Sequence, residues 1–309
     1  MKKIVLILVY FGELPAYANA FFKSVEYNES VDLLFISDQQ SDCLPSNVRQ
    51  VILSFDDLKD KIQSEFDFSI TLDSPYKLVD YKPAYGLIFH KYIKMYEFWG
   101  HVDMDMIFGN IDHFINNGML DKFDKIYQFG HLTLYRNNYE NNRKFMSDVG
   151  MNYRDVFSTP LIKVFDETQG MQRKFELMNI PTYTSNDFAD IAPWKYRMYE
   201  VGKGLYNKPN QVYVWSNGIL YRYYIEGKDV KKNELLYVHF QKRNMDISMS
   251  NQSSKYCVIS SHKIFKNAKL DYNLIKKHSY SNFFLDSYCY LKYQYYIWNR
   301  RYHKYILGR

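Results

Sequence analysis

Cysteine is scarce in this chain, and what there is does not pair. The three residues, Cys43, Cys257 and Cys289, are far apart, and an odd, scattered set builds no disulfide framework. No Cys-x-x-Cys pair is present, so the commonest zinc signature is missing. Such usage implies a reducing cytoplasm. Long apolar runs are missing too, since no stretch approaches the ~20 residues a transmembrane helix requires. At the N-terminus, Met1-Lys2-Lys3, the apolar Ile4 to Phe11 and then Ala16-Tyr17-Ala18-Asn19-Ala20 imitate a signal peptide. The apolar part is short, however, and Gly12, Glu13 and Pro15 break it at once. A β-branched run so bounded reads as the first buried strand of an α/β fold. Internal repeats, low-complexity tracts and Gly/Ser linkers are also absent. One extended domain, or one domain with an appendage, fits 309 residues better than two equal ones.

What is present suits a globular protein with a large core: 47% of residues are hydrophobic and 24% charged. Tyrosine is abundant at 31, with 22 phenylalanines. That abundance suits sugar stacking, but genome composition would produce it equally. Charge is uneven along the chain. Lys255 to Arg309 carry eleven Lys and Arg against Asp271 and Asp286, a net of +9; with +6 for the whole chain, residues 1–254 carry −3. A basic, aromatic tail on a slightly acidic body points to an anionic membrane surface or to nucleic acid.

Strand-helix alternation dominates the first half. Strands are predicted at Ile4–Tyr10, Val31–Ser37, Val48–Ser54 and Glu97–Val102, with helices at Pro15–Tyr27, Asp56–Phe66 and Ala84–Tyr96. Pro83 fits the first turn of the last helix. This order predicts a mainly parallel α/β sheet. Further on, a strand is expected at Lys125–Tyr135, helices at Glu140–Val149 and Met171–Met178, and a late strand at Leu235–Phe240. Asn217-Gly218, between two apolar runs, signals a hairpin. After Lys255 the pattern reads as helical, with Phe284, Leu285, Tyr288, Leu291 and Tyr295 at helix-face spacing.

The chemistry concentrates in Phe98-Trp99-Gly100-His101-Val102-Asp103-Met104-Asp105-Met106-Ile107-Phe108-Gly109. On an extended segment residues i and i+2 point to one side, so Asp103 and Asp105 can converge on one hard cation. Carboxylate oxygens are what Mg²⁺ and Mn²⁺ prefer, one or two at a time, together with substrate phosphates. The bland alternative is a solvated turn after a strand.

Several further segments accompany this run: Asp80-Tyr81-Lys82-Pro83-Ala84-Tyr85-Gly86, Gly130-His131-Leu132-Thr133-Leu134-Tyr135-Arg136-Asn137, Phe165-Asp166-Glu167-Thr168-Gln169-Gly170 and Tyr237-Val238-His239-Phe240-Gln241-Lys242. Over residues 1–245 the chain resembles bacterial polysaccharide-associated glycosyltransferases. The resemblance implies a GT-A fold, a Rossmann-like mixed sheet flanked by helices, followed by a helical basic tail. It divides the chain into a donor half at 1–110, an acceptor half at 111–250 and the tail at 251–309. Asp103, Asp105 and His239 would hold Mn²⁺ or Mg²⁺ against the diphosphate of a nucleotide sugar, a UDP-sugar by family habit. Tyr10, Phe11 and Gly12 would meet the nucleotide base and ribose, with Asp80 and Lys82 as further donor contacts. Lys242 and Arg243 would assist the leaving phosphates. Asp166 or Glu167 would take the acceptor proton if the reaction inverts, and His131 and Asp187 would lie on the acceptor side.

Each role has a structural alternative. Asp80 is a favoured helix-cap residue, a strand histidine is often structural, and Asp166-Glu167 is also an ordinary loop pair. The resemblance further implies a polyprenyl-diphosphate-linked saccharide acceptor and a protein peripheral on the inner face of the cell membrane. There the tail would meet anionic lipid; otherwise it packs on the catalytic domain. A metal-dependent phosphohydrolase or nuclease would need further ligands, for which His101, Asp112 and His113 form no known pattern. Nucleic-acid binding fits poorly with the acidic body.

Overall fold

The computed structural model describes residues 3–201, 207–208, 210–241, 243–248, 256–266 and 270–305, the side chains of 300–305 aside. In chain order the strands are β1 (Ile4–Val9), β2 (Val31–Ser37), β3 (Val48–Ile52), β4 (Phe98–Val102), β5 (Met106–Phe108), β6 (Lys125–Phe129), β7 (Leu132–Arg136) and β8 (Thr182–Tyr183). There follow β9 (Ala189–Asp190), β10 (Gln211–Ser216), β11 (Ile219–Glu226), β12 (Asp229–Leu235), β13 (Tyr237–His239), β14 (Asp246–Ser248), β15 (Tyr256–Ser260) and β16 (Lys263–Phe265). The chain folds as two compact units interleaved in sequence. One takes the N-terminus to Glu13, Glu29–Met104 and Ile115–Ser185; the other takes Leu14–Asn28, Asp105–Phe114 and the residues from Asn186 onward.

The first unit is built on a mixed seven-stranded sheet, in the order β3-β2-β1-β4-β7-β6-β8. Strands β3, β2, β1 and β4 are parallel, β7 is antiparallel to both β4 and β6, and β8 runs parallel with β6. Ile4–Val9 is thus a buried inner strand, as its β-branched composition predicts. Glycine is required at position 100, where a Cβ would lie 2.7 Å from the Thr133 carbonyl on β7. Trp99 is fully buried, stacks on Tyr135 at 4.8 Å and donates its indole N–H to Asn142 Oδ1 at 2.7 Å. Truncating so large a core side chain costs about 3–5 kcal/mol. The helix Phe55–Gln63 begins on a reciprocal Ser54–Asp57 capping box.

Three predicted elements differ here. The helix expected over Ala84–Tyr96 is two short helices, Tyr85–Ile88 and His90–Ile93, separated at the fully buried Phe89. Lys125–Tyr135 is not one strand but β6 and β7, because the chain turns at Gly130-His131. The segment expected as helix Glu140–Val149 is a 3₁₀ helix, Asn141–Met146. Asn138 accepts from the Asn141 amide and Asn142 donates to Asn137, local bonds that compete with an α-helix.

The second unit contains a six-stranded sheet, β12-β11-β10-β15-β16-β14, and a three-stranded sheet, β5-β13-β9. The β10–β11 hairpin turns at Asn217 (φ 48°) and Gly218 (φ 82°), the left-handed pair that a two-residue turn demands. Trp215 on β10 donates to the Phe108 carbonyl at 2.9 Å and meets Tyr27 edge-on. The run expected as one strand at Leu235–Phe240 splits at Leu236, ending β12 in one sheet and starting β13 in the other. The largest correction concerns residues after Lys255. Tyr256–Ser260 and Lys263–Phe265 are sheet strands, and helix begins only at Tyr272–His278 and Phe283–Tyr305.

Candidate functional site

The C-terminal ends of parallel strands are where open α/β sheets bind ligands, and the predicted donor residues follow β1. Tyr10 continues the β1 register by donating to Ile36. Gly12 follows at φ +91°, where a side chain is strained, and its N–H donates to Asp38 Oδ1 at 2.9 Å. Phe11 packs edge-on against Phe55 at 5.3 Å. Asp38, just past β2, was not singled out from sequence; no motif marks it.

At the end of the neighbouring β4, Asp103 meets Lys82. The buried ammonium lies 2.7 Å from Asp103 Oδ1 and 3.1 Å from Asp166 Oδ2, and donates to the Gly130 carbonyl at 2.8 Å. Burial opposes its charge, but the two carboxylates override that and hold its pKa above the ordinary lysine range. Asp166 is pushed up to about 6, first by burial and then by the Asp103 charge, against the pull of Lys82. Glu167 is pushed up to about 7 by burial and by its neighbour Asp166, although the Gly130 N–H favours its ionised form. Sequence thus paired Asp166 with Glu167, and the fold gives them different tasks: Asp166 is spent on Lys82, while Glu167 keeps a carboxyl poised near neutrality. Gly130 makes this packing possible, since a Cβ there would sit 2.7 Å from Asp166 Cγ. His131 is buried, stacked on Phe129 at 5.4 Å, and its carbonyl accepts from the Asp103 N–H.

Asp80 overturns its predicted role. It is fully buried, bonded to Lys77 Nζ at 2.6 Å, and accepts the backbone N–H groups of Lys163 and Phe165 at 2.9 Å each. Those amides flank Val164, a β-branched residue at φ 55°. A valine in the left-handed region persists only where surroundings over-determine it. Asp80 therefore clamps the strained loop that leads into Asp166 and Glu167, and it ends the 3₁₀ helix Pro75–Asp80 without capping the helix that follows.

In the second unit the centre is His239, at the end of β13. Its Nε2 lies 3.2 Å from Asp105 Oδ1 and its Nδ1 2.8 Å from Asp190 Oδ1. The Phe240 N–H donates to the Asp105 carbonyl at 2.8 Å, and Gln241 Nε2 donates to Asp190 at 2.9 Å. Burial opposes protonation of His239, yet Asp105 and Asp190 raise its pKa to about 10. A histidine oriented by a carboxylate on one nitrogen and facing a ligand carboxylate with the other is the arrangement of many metal sites. The spacing also fits: adjacent ligands at about 2.1 Å from an octahedral cation stand about 3.0 Å apart. Asp190 is the main residue sequence reading missed, since it ends a two-residue strand that no periodicity reveals.

Arg243 is a second correction. Its buried guanidinium donates to the carbonyls of Tyr196, Ser261, Ala192, Lys195 and Arg197, and burial lowers its pKa to about 10. So enclosed, it has no part in binding leaving phosphates. Lys242 lies outside the described residues. Asp187 precedes β9, where its carbonyl accepts from the Leu236 N–H.

The family model "Family of unknown function (DUF6625)" matches residues 6–268. No curated protein matches the chain in sequence. Among solved structures, similarity extends to a glycosyltransferase involved in the glycosylation of the major capsid of PBCV-1, at 9% identity and TM-score 0.38, covering 61% of this chain and 84% of the other. It extends also to the galactosyltransferase LgtC in complex with donor and acceptor sugar analogs, at 8% identity and TM-score 0.37, covering 61% and 76%.

Proposed function

The chain belongs to the DUF6625 family, and for it we propose a metal-dependent glycosyltransferase activity, with a nucleotide-diphosphate sugar, in the first instance a UDP-sugar, as donor. The observation that carries this reading is the Asp105–His239–Asp190 array on an Asp-x-Asp segment that ends an inner strand. Asp105 and His239 would hold Mn²⁺ or Mg²⁺, with Asp103 two residues earlier on the same segment and Asp190 fixing the imidazole. Such a cation supplies charge neutralisation for the departing nucleoside diphosphate. Lys82 adds a fixed positive charge beside Asp103.

Glu167 is the proton acceptor in this reading. Its carboxylate takes the acceptor hydroxyl proton as that oxygen bonds the sugar's anomeric carbon; the bond from that carbon to phosphate breaks, and its electron pair leaves with the nucleoside diphosphate. A carboxyl titrating near 7 suits this task because both protonation states are accessible at neutral pH.

Thermal stabilisation by nucleotides and nucleotide sugars, each with Mn²⁺ or EDTA, tests the donor site. One nucleotide diphosphate should raise Tm with Mn²⁺, and the rise should disappear in EDTA and in Asp105→Ala. No rise with any nucleotide would remove the transferase reading.

The acceptor we propose is a lipid-linked saccharide of surface-polysaccharide assembly, met at the inner face of the membrane. The helix Phe283–Tyr305 supports this. Its inner side bonds Tyr196 N–H through Asp286 and packs Tyr293 on Trp194, while Phe283, Phe284, Tyr288, Leu291, Tyr295 and Trp298 are exposed. Exposed aromatics with Lys292 beside them suit a lipid headgroup region. No helix among the described residues is long and apolar enough to cross a membrane. Phe284→Ser with Trp298→Ser should reduce sedimentation with anionic liposomes about three- to tenfold, as removal of buried apolar area implies; unchanged sedimentation would leave the helix without a lipid role.

A further inference from the structure

Within the first unit, a cleft of about 530 Å³ is bordered by Gln128, Thr168, Gln169, Gln172, Arg173 and Glu176, with Thr184 at its exposed rim. That volume lies within the range of small-molecule sites, about 300–1,000 Å³. None of these residues was chosen from sequence as a ligand contact. We infer that this cleft binds a neutral saccharide, placing the acceptor's sugar next to Glu167; the acceptor role rests on the transferase reading, the saccharide site does not.

Three observations support the inference. First, the lining is polar and balanced. It offers the carboxamides of Gln128 and Gln169 and two hydroxyls, the Gln172 amide being bonded to Lys125, Glu176 and Thr182, and its one cation and one anion pair with each other, Arg173 Nη1 to Glu176 Oε2 at 3.3 Å. A phosphate would find no unopposed cation there. An apolar ligand would leave the buried Gln128 Oε1 unsatisfied. A hydroxyl, which donates once and accepts twice, matches such a mixed surface.

Second, one acceptor in the lining is unsatisfied. Gln128 Nε2 donates to the Ser185 carbonyl at 3.1 Å, which fixes the orientation of the amide, while its buried Oε1 has no hydrogen-bond partner. Buried polar atoms in folded proteins normally have partners, and a ligand O–H would supply this one.

Third, the backbone beneath is shaped to present that amide. The β6–β7 register is irregular between Ile126 and Phe129, and the fully buried Tyr127 adopts φ 67°. A bulge of this kind re-aims the neighbouring side chain. The buried Lys125 ammonium ties the bulge to the cleft wall, donating to the Tyr127 carbonyl and, at 2.8 Å, to Gln172 Oε1. The lining residues Thr168, Gln169 and Gln172 belong to a π turn, Thr168–Gln172, directly after Glu167, and such turns recur at functional sites.

The test uses the full chain and saturation-transfer-difference NMR with the methyl α- and β-pyranosides of glucose, galactose and mannose. At least one glycoside should receive saturation. Thr184→Trp, which fills the rim, should cut that signal about fivefold or more, and Gln169→Ala, at an exposed position, about two- to fivefold, as loss of one or two ligand hydrogen bonds implies. In both variants the Mn²⁺-dependent nucleotide stabilisation should be unchanged. No signal from any glycoside, or a signal that both variants leave intact, would overturn the saccharide cleft while nucleotide stabilisation kept the transferase reading alive. A saccharide signal lost in Thr184→Trp, in a protein that no nucleotide stabilises, would instead uphold the cleft and remove the transferase.

Discussion

Asp103 and Asp105 stand two residues apart, yet their carboxylates meet different chemistry. Asp103 faces Lys82, an ammonium that is permanently charged in its double-carboxylate setting and cannot ligate a cation. Asp105 faces His239, whose imidazole loses its proton when it accepts a metal, with Asp190 behind it to fix the ring. The first arrangement is a charge scaffold that also disposes of Asp166. In the proposed reading the second is a ligand pair, so the partner of each carboxylate assigns its work.

Variants sharpen that contrast. Glu167→Gln should have the largest effect, about 10²–10⁴-fold on turnover if Glu167 is the general base, read by nucleoside diphosphate release across pH. Wild-type turnover should rise with pH through about 7, where the carboxyl ionises, and level off above. Stability should run the other way. An unfolded Glu sheds its proton near pH 4.3, whereas the folded one keeps it to about 7, so the fold binds more protons between those values. Stability from this group is present below about 4.3 and declines as pH rises to 7. Glu167→Gln should flatten that decline in urea titrations, and an unchanged slope would reject the assignment.

Next in size, Lys82→Met should cost about 3–5 kcal/mol, because it strips Asp103 of its cation and forces the buried Asp166 to take up a proton. Urea unfolding measures this, and a loss under 1 kcal/mol would deny Lys82 its scaffold role. Asp190→Asn should do the opposite. It should alter stability little but weaken Mn²⁺ affinity about 10–100-fold, the usual cost of removing the group that orients a ligating histidine. Calorimetric Mn²⁺ titration checks it, and equal losses in both variants would erase the distinction between the two carboxylates.

Local pattern revealed much of this fold. The apolar runs at Ile4–Val9 and Val31–Ser37 and the Asn217-Gly218 turn form where composition puts them, because their own residues carry a clear strand or turn signal. The Asp-x-Asp segment and His239, picked out from the sequence, meet in the fold through Asp105 Oδ1 and His239 Nε2 at 3.2 Å. What stayed hidden depends on distant partners. Asp190 reaches His239 across 49 positions, and Asp80 reaches the Phe165 amide across 85. The resemblance makes Arg243 a phosphate ligand, and only the fold shows its terminal nitrogens bonded to five carbonyls. After Lys255 the aromatic spacing is helical, and the short apolar run Tyr256–Ser260 is a strand because it pairs with Gln211–Ser216.

That last pairing bears on how the protein can be shortened. A cut at residue 250, where charge and composition change, would discard β15 and uncover one whole side of β10. Rows of unpaired N–H and C=O groups on a strand as apolar as Val212–Trp215 invite edge-to-edge association. Such a fragment would be collected as aggregate, and its inactivity would be charged to the missing tail. Shortening after Ser279, which keeps β15, β16 and the helix Tyr272–His278 whose Ile275 is buried with Val212 and Ile225, avoids that artefact and isolates what the last helix contributes.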